Sequence, residues 1–264
     1  MNRLDELESQ SIYILREAYN RIDSLSMLWS LGKDSNVMVW LARKAFFGRV
    51  PFPAILLDTG NELDEVYAFR DQYVDEWGLD YINAICPGYE ETDPTLTSNA
   101  RAAARKTLGL KRVIEENGFR GIFLGIRRDE QAVRSKERVF SPRGEDGAWD
   151  YKDQPPEFWD QYKTEFPPNT HVRIHPLLAW TEVDIWRYIE REQIPVVPLY
   201  FAKDGWRYRS LGEKDITRPV QSNASTIEEI IAELETTREP ERAGRTMDHD
   251  SEDAFERLRQ AGYM

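Results

Sequence analysis

The chain has 264 residues, of which 47 are acidic and 35 basic, for a formal net charge of −12. That balance disfavours a nucleic-acid surface, because phosphate backbones are held by clustered Lys and Arg. One cysteine, Cys86, excludes an internal disulfide framework and a cysteine-built zinc or iron–sulfur site. With no long apolar run and no basic leader before an apolar core, the sequence predicts a cytoplasmic protein without membrane span or signal peptide.

Met27-Leu28-Trp29 reads as a buried strand, and Val37, Leu41 and Ala45, at i, i+4 and i+8, mark one face of a helix. Between them lies Ser30-Leu31-Gly32-Lys33-Asp34-Ser35. A strand, a glycine turn and a helix in that order leave the first helical N–H groups pointing into the turn. Unsatisfied donors and the positive end of the helix dipole converge there and attract anions. Lys33 adds a mobile positive charge from an exposed loop, and Ser30 and Ser35 add hydroxyls. The loop is shorter than the Walker pattern, and a plain polar turn is the alternative.

Ala54-Ile55-Leu56-Leu57 is a second strand, running into Asp58-Thr59-Gly60. Asn61 to Trp77 reads as a helix with Val66, Phe69, Tyr73 and Trp77 on one stripe and Gly78 as its stop. Tyr81 to Ile85 is a third strand, Arg101 to Gly118 is mostly helical, and Gly121 to Gly125 is a fourth strand delivering Ile126-Arg127-Arg128-Asp129 into a loop. Residues 141–169, rich in proline and aromatics, form an ordered excursion over the sheet. Val172 to Leu177 is a fifth strand, and Thr181-Glu182-Val183-Asp184 opens a helix that turns Ile185, Trp186 and Ile189 inward.

This alternation predicts an α/β fold, a mostly parallel twisted sheet with helices on both faces. Such sheets bind ligands outside the carboxyl ends of their strands, so the loops at Gly32, Asp58 and Arg127 are expected to line one crevice. Residues 1–212 form the α/β domain, and 213–264 a charged C-terminal extension with two short helices. Ser225-Thr226-Ile227-Glu228 opens the first helix, Ser251 to Ala261 forms the second, and Pro240 to Asp250 is a charged loop between them. Asp34 and Asp58 are candidate Mg²⁺ ligands, against the alternatives of a helix-start acid and a strand-end Asx turn. Arg127 and Arg128 are candidate clamps for an oxyanion, against surface ion pairs with Asp129 and Glu130. His171 and His175 share a strand face without a third metal ligand.

Taken together, Ser30 to Ser35, Asp58-Thr59-Gly60, Arg127-Arg128-Asp129-Glu130 with Lys136-Glu137-Arg138, and Arg207-Tyr208-Arg209-Ser210-Leu211-Gly212 resemble the motifs of the adenine nucleotide α-hydrolase superfamily. Within it they are most similar to the small, ATP-binding subunits of bacterial sulfate adenylyltransferases. Pro198-Leu199-Tyr200, Ser222-Asn223-Ala224 and Glu241-Arg242-Ala243-Gly244-Arg245 extend the resemblance over nearly the whole chain. It implies a Rossmann-like fold that splits ATP between its α and β phosphates, passes AMP to sulfate, releases pyrophosphate and partners a GTP-binding large subunit. ATP contacts are implied at Ser30, Gly32, Lys33, Asp34, Ser35, Asp58 and Gly125, with Mg²⁺ at Asp34 and Asp58. Lys33, Arg127 and Arg128 are the implied catalytic residues.

Two stretches depart from that pattern. Glu213-Lys214-Asp215 follows Gly212 where the sulfate-activating subunits usually continue Gly-Cys-Trp-Pro, and the related reductases need a C-terminal cysteine that is absent here. Asn61-Glu62-Leu63-Asp64-Glu65 stands where an aromatic and a basic residue are usual. Acids there oppose an approaching dianion, and Glu62 and Glu65, placed i, i+3 on the expected helix, read either as first-turn acids or as selectors of the acceptor. Adenylation of another acceptor and a non-catalytic nucleotide-binding regulatory role stay open at this point; thiolation of nucleic acid is disfavoured by the single cysteine and the net charge.

Overall fold

The computed structural model describes residues 2–239, apart from 145–146, 151 and 169, together with Glu241. Its main sheet has six strands, β1 (Leu25–Leu28), β2 (Ala54–Asp58), β3 (Tyr81–Ile85), β4 (Gly121–Phe123), β5 (Phe140–Arg143) and β6 (His171–Ile174), in the order β3-β2-β1-β4-β6-β5. Every neighbouring pair is parallel except β5 and β6. Side chains alternate across a sheet, and here Met27, Ala54, Leu56 and Phe123 enter one apolar cluster while Leu28, Ile55, Leu57 and Ile122 enter another. Both faces are therefore dry, which is why β1 and β2 read as continuous apolar runs. The larger cluster gathers α1 (Arg3–Arg21), α2 (Lys33–Ala45), α3 (Asp64–Glu76), α5 (Glu182–Glu192) and α6 (Ile227–Thr236). On the opposite face α4 (Ser98–Asn117) packs through Leu110 and Val113. Among the described residues no helix is long and apolar enough to cross a membrane.

Several boundaries move, and the elements not foreseen include α1 and β5. α3 begins at Asp64 rather than Asn61, and its N-cap, Leu63, makes no side-chain bond. α4 begins at Ser98, where the Thr97 hydroxyl accepts the N–H of Ala100. The box opening α6 is Thr226 with Glu229, one residue later than expected. The second tail helix at Ser251 to Ala261, and the charged loop before it apart from Glu241, lie outside the described residues. α1 is new: its buried stripe of Leu7, Ile14, Leu15 and Ala18 includes Ser11, whose hydroxyl donates to the Pro176 carbonyl at 2.8 Å. β5 is also new. It carries Pro142 but lies at the sheet edge, where a missing N–H costs no ladder bond. Part of the excursion folds back on it, the Glu157 carboxylate accepting the N–H groups of Val139 and Phe140 at 3.0 and 2.9 Å.

The two acidic departures meet in space. Lys106 of α4 places its Nζ 3.1 Å from Glu62 and 3.4 Å from Glu213, both of them buried carboxylates. The Lys214 N–H donates to the Asn61 carbonyl at 2.8 Å, its ammonium pairs with Asp64 at 2.7 Å, and Asn61 donates to Asp215 at 2.7 Å. Glu62 consequently neither caps α3 nor shares a helix face with Glu65. It precedes the helix and is buried, because Lys106 supplies the cation a buried carboxylate needs, whereas Glu65 is exposed.

Lys106→Ala strands both carboxylates. Breaking a buried pair costs roughly 3–5 kcal/mol, and with 24% of the Lys106 side chain exposed the low end is expected. Urea unfolding measures it; an unchanged midpoint would mean that the backbone bonds alone hold the two loops.

A second prediction concerns the α5 start, where Asp184 accepts the Thr181 N–H and hydroxyl at 2.9 and 2.7 Å and the Arg3 guanidinium at 2.8–3.1 Å. Burial disfavours the Asp184 charge, but the Arg3 and Thr181 bonds outweigh it and hold the carboxyl below its usual range. A lowered carboxyl pKa stabilises above the unfolded value of about 3.9 and loses that contribution as pH falls through the folded one. Asp184→Asn should cost about 1–2 kcal/mol at pH 7. Thermal melts in acid should show the gap closing, and a gap independent of pH would remove the carboxylate's charge from the account.

Candidate active site

β1 and β4 are neighbours, yet the chain leaves β1 toward β2 on one side and β4 toward β6 on the other. A crevice opens at such a switch point, beyond the carboxyl ends of the strands. The cavity found there has a volume of about 220 Å³. The turn after β1 enters it with Leu31 in the left-handed region, φ 64°, a conformation a leucine adopts only when its surroundings enforce it. Gly32 then caps α2 without a side-chain bond. The Lys33 N–H donates to the Tyr200 hydroxyl at 2.9 Å and that of Asn36 to the Gly32 carbonyl at 3.0 Å. The N–H groups of Asp34 and Ser35 have no protein acceptor among the described residues. The Ser35 hydroxyl donates to the Gly32 carbonyl at 2.9 Å and lies 3.3 Å from that of Ser30. Gly125, leaving β4, passes directly over this turn. A Cβ at Gly125 would sit 3.3 Å from both the Asp34 carbonyl carbon and the Ser35 nitrogen, so only glycine allows the approach without displacement.

The charges converge just behind. Lys33 is not an exposed loop residue: only 1% of its side chain is accessible, and its Nζ pairs with Asp34 at 3.2 Å and with Glu241. Arg127, fully buried, meets Asp34, Glu241 and, at 2.9 Å, Asp129. Burial works against the Arg127 charge, but Glu241, Asp129, Glu130 and Glu182 outweigh it and hold its pKa above the ordinary arginine value. Glu241 is the converse case, its burial overcome by Arg127 and Lys33 so that its carboxyl stays well below the carboxylate range.

The remaining expected residues separate. Ser30, Gly32, Lys33, Asp34, Ser35 and Gly125 line the cavity, while Asp58, Arg127 and Arg128 do not. Asp58 Oδ1 accepts from the Gly60 N–H at 2.8 Å and the Tyr67 hydroxyl at 2.7 Å, and Oδ2 from Asn83 at 3.0 Å. Burial is offset by those bonds, its carboxyl lies below its usual range, and the Asx turn is what it builds. Mg²⁺ keeps several waters and takes one or two carboxylates plus phosphates. Asp34 stands on the cavity wall, its two oxygens meeting Lys33 and Arg127, and Asp58 does not; no group of three or more His, Cys, Asp or Glu suited to a metal occurs among the described residues. Arg128 is exposed, donating to the Glu137 carbonyl at 3.4 Å. His171 and His175 are held neutral, pulled down by burial to about 3 and about 4. Burial also pushes the Cys86 thiol up to about 11, which leaves no thiolate for redox chemistry.

Lys106, Arg134, Tyr200 and Glu241 also line the cavity, and none of them was among the expected site residues. Tyr200 and Glu241 stood in quoted motifs, but nothing local to them reveals that both reach Lys33.

Residues 24–219 match the phosphoadenosine phosphosulfate reductase domain family. Over its whole length the chain is 40% identical to sulfate adenylyltransferase subunit 2 of Stutzerimonas stutzeri, spanning 98% of that protein. It is also 40% identical to the Rhizobium johnstonii subunit 2, over 98% of this chain and 92% of that one. Among solved structures, phosphoadenylyl-sulfate reductase from Candida auris aligns with a TM-score of 0.55 at 14% identity, over 83% of this chain and 98% of that one. Candida glabrata FMN adenylyltransferase in complex with ATP aligns with a TM-score of 0.57 at 15% identity, over 97% and 80%. At such identities the two structures speak to the fold alone. Full-length identity and the matched domain agree: the chain belongs to the sulfate adenylyltransferase subunit 2 family.

Proposed function

We propose that this chain is the catalytic small subunit of a cytoplasmic sulfate adenylyltransferase, forming adenosine 5′-phosphosulfate and pyrophosphate from ATP and sulfate with a GTP-binding large subunit as partner. The observation that carries this reading is the turn at the switch point, where the Asp34 and Ser35 N–H groups and the Lys33 ammonium converge on one cavity. Apolar walls from Leu28, Ala102, Leu124 and Ile126 suit the face of a purine.

In the proposed reaction a sulfate oxygen attacks the α-phosphorus, and the bond to the bridging oxygen of the β-phosphate breaks. The departing pyrophosphate keeps the electron pair. Negative charge grows on it, where donors fixed by the fold stabilise the transition state more than the ground state. Lys33 and the two N–H groups are those donors, and the Ser30 and Ser35 hydroxyls orient the phosphate chain. Mg²⁺ bound with the phosphates and held by Asp34 would supply further charge neutralisation. Arg127, buried behind the turn, keeps Asp34 in place. Arg128 is exposed, and among the described residues its side chain makes one long bond, so it is the arginine that can turn toward the acceptor. No covalent nucleophile is required.

Lys33→Ala should lower pyrophosphate release by about 10²–10³-fold, the scale of losing one such donor, and weaken ATP binding. Because Lys33 is buried against Glu241 and Asp34, a lower melting temperature should accompany the loss. ATP affinity equal to wild type in calorimetry would take the turn out of the site. For Arg128→Ala the expected signature is a raised sulfate KM with ATP affinity unchanged, measured with the partner subunit present. Equal losses for both substrates would move Arg128 onto the nucleotide.

A further inference from the structure

Glu241 has no part in the reaction as derived, yet its two carboxylate oxygens divide between the site's buried cations, Oε1 on Lys33 and Oε2 on Arg127. It comes from the stretch that follows α6, where the Glu239 carbonyl accepts a bond from Arg209 at 2.9 Å. That bridging arrangement is the one a phosphate makes between two cations. We propose that the Glu241 carboxylate is a built-in competitor of the nucleotide phosphates, occupying the anion position until a triphosphate displaces it into solvent.

Charge and volume both support this. Lys33 and Arg127 are matched by three carboxylates in contact, Asp34, Asp129 and Glu241, so the cluster holds no positive charge in excess for an incoming polyanion. Phosphates gain full use of Lys33 only when one carboxylate leaves. Asp34 and Asp129 are fixed by α2 and by a 2.8 Å bond from the Glu182 N–H, whereas Glu241 lies beyond α6, the last described helix. The cavity, at about 220 Å³, is also smaller than the roughly 300–1,000 Å³ of ligand pockets, and Glu241 forms part of its wall. After the reaction the same carboxylate can return to the cations and help release pyrophosphate.

The inference rests on Lys33 being the phosphate-binding group, and the test separates the two. Full-length wild type, Glu241→Gln and Lys33→Ala are titrated calorimetrically with α,β-methylene-ATP, inorganic pyrophosphate and adenosine. A competitor closed about nine-tenths of the time lowers apparent affinity about tenfold. Glu241→Gln should therefore bind the analogue and pyrophosphate about that much more tightly, with adenosine unchanged. Affinity that is unchanged or weaker in Glu241→Gln, while Lys33→Ala weakens the analogue, overturns the competitor and leaves the phosphate site standing. Equal binding by Lys33→Ala and wild type overturns the site itself. Should melting show that Glu241→Gln is unfolded, Glu241→Asp, one methylene shorter, must still tighten the analogue, and its failure to do so overturns the proposal.

Discussion

Two cations buried side by side set the terms for this candidate site. Lys33 and Arg127 are almost entirely removed from solvent. Moving an ion out of water costs several kcal/mol even after the protein relaxes, so neither can stay charged there without anions at contact distance. Each anion is in turn held by a different element. Asp34 belongs to the first turn of α2, Asp129 accepts the N–H that opens α5, and Glu241 arrives from beyond α6. α5 then returns to the turn, since Trp186 packs edge-on against Tyr200 and the Tyr200 hydroxyl takes the Lys33 N–H. The turn after β1, the loop after β4, α5 and Glu241 are one electrostatic unit, and under the proposed exchange a polyanionic ligand would enter it by displacing a carboxylate rather than by filling an uncompensated positive hole.

That unit explains what could and could not be read from the sequence. β1 and β2 were legible because apolar runs signal strands whatever lies on either side. The α5 start was legible because Thr181 and Asp184 bond to each other. The Gly32 turn was visible too, since strand, glycine and helix are adjacent in the chain. α1 escaped notice because Ser11 interrupts its apolar stripe; the partners that justify burying a serine there, Pro176 and Trp180, are 165 and 169 residues away. β5 escaped because Pro142 reads as a breaker until its edge position is known. The burial of Lys33 and Arg127 was hidden for the same reason as Ser11. Glu241 lies 208 residues from one and 114 from the other, and no local pattern carries a pairing of that range.

The acidic stretches look hostile to sulfate in the sequence, and their structure removes most of that hostility. Glu62 and Glu213 share Lys106, Asp64 is paired with Lys214, and Asp215 is hydrogen-bonded to Asn61. Among the described residues Glu65 alone keeps an exposed, unshared charge within Asn61 to Glu65, and exposed charges are screened within about 8 Å at physiological ionic strength. The pairing also works in the other direction. α4 covers the sheet face opposite α2, so the cavity receives one lysine from each layer, Lys33 from α2 and Lys106 from α4. A lysine on a helix has a long, flexible stem and is fixed in one place only by a partner. Glu62 and Glu213 are those partners, and they stitch the loop after β2 to the stretch after Gly212 in doing so. Acids whose sign opposes the proposed acceptor are thus what hold the second cation at the cavity wall.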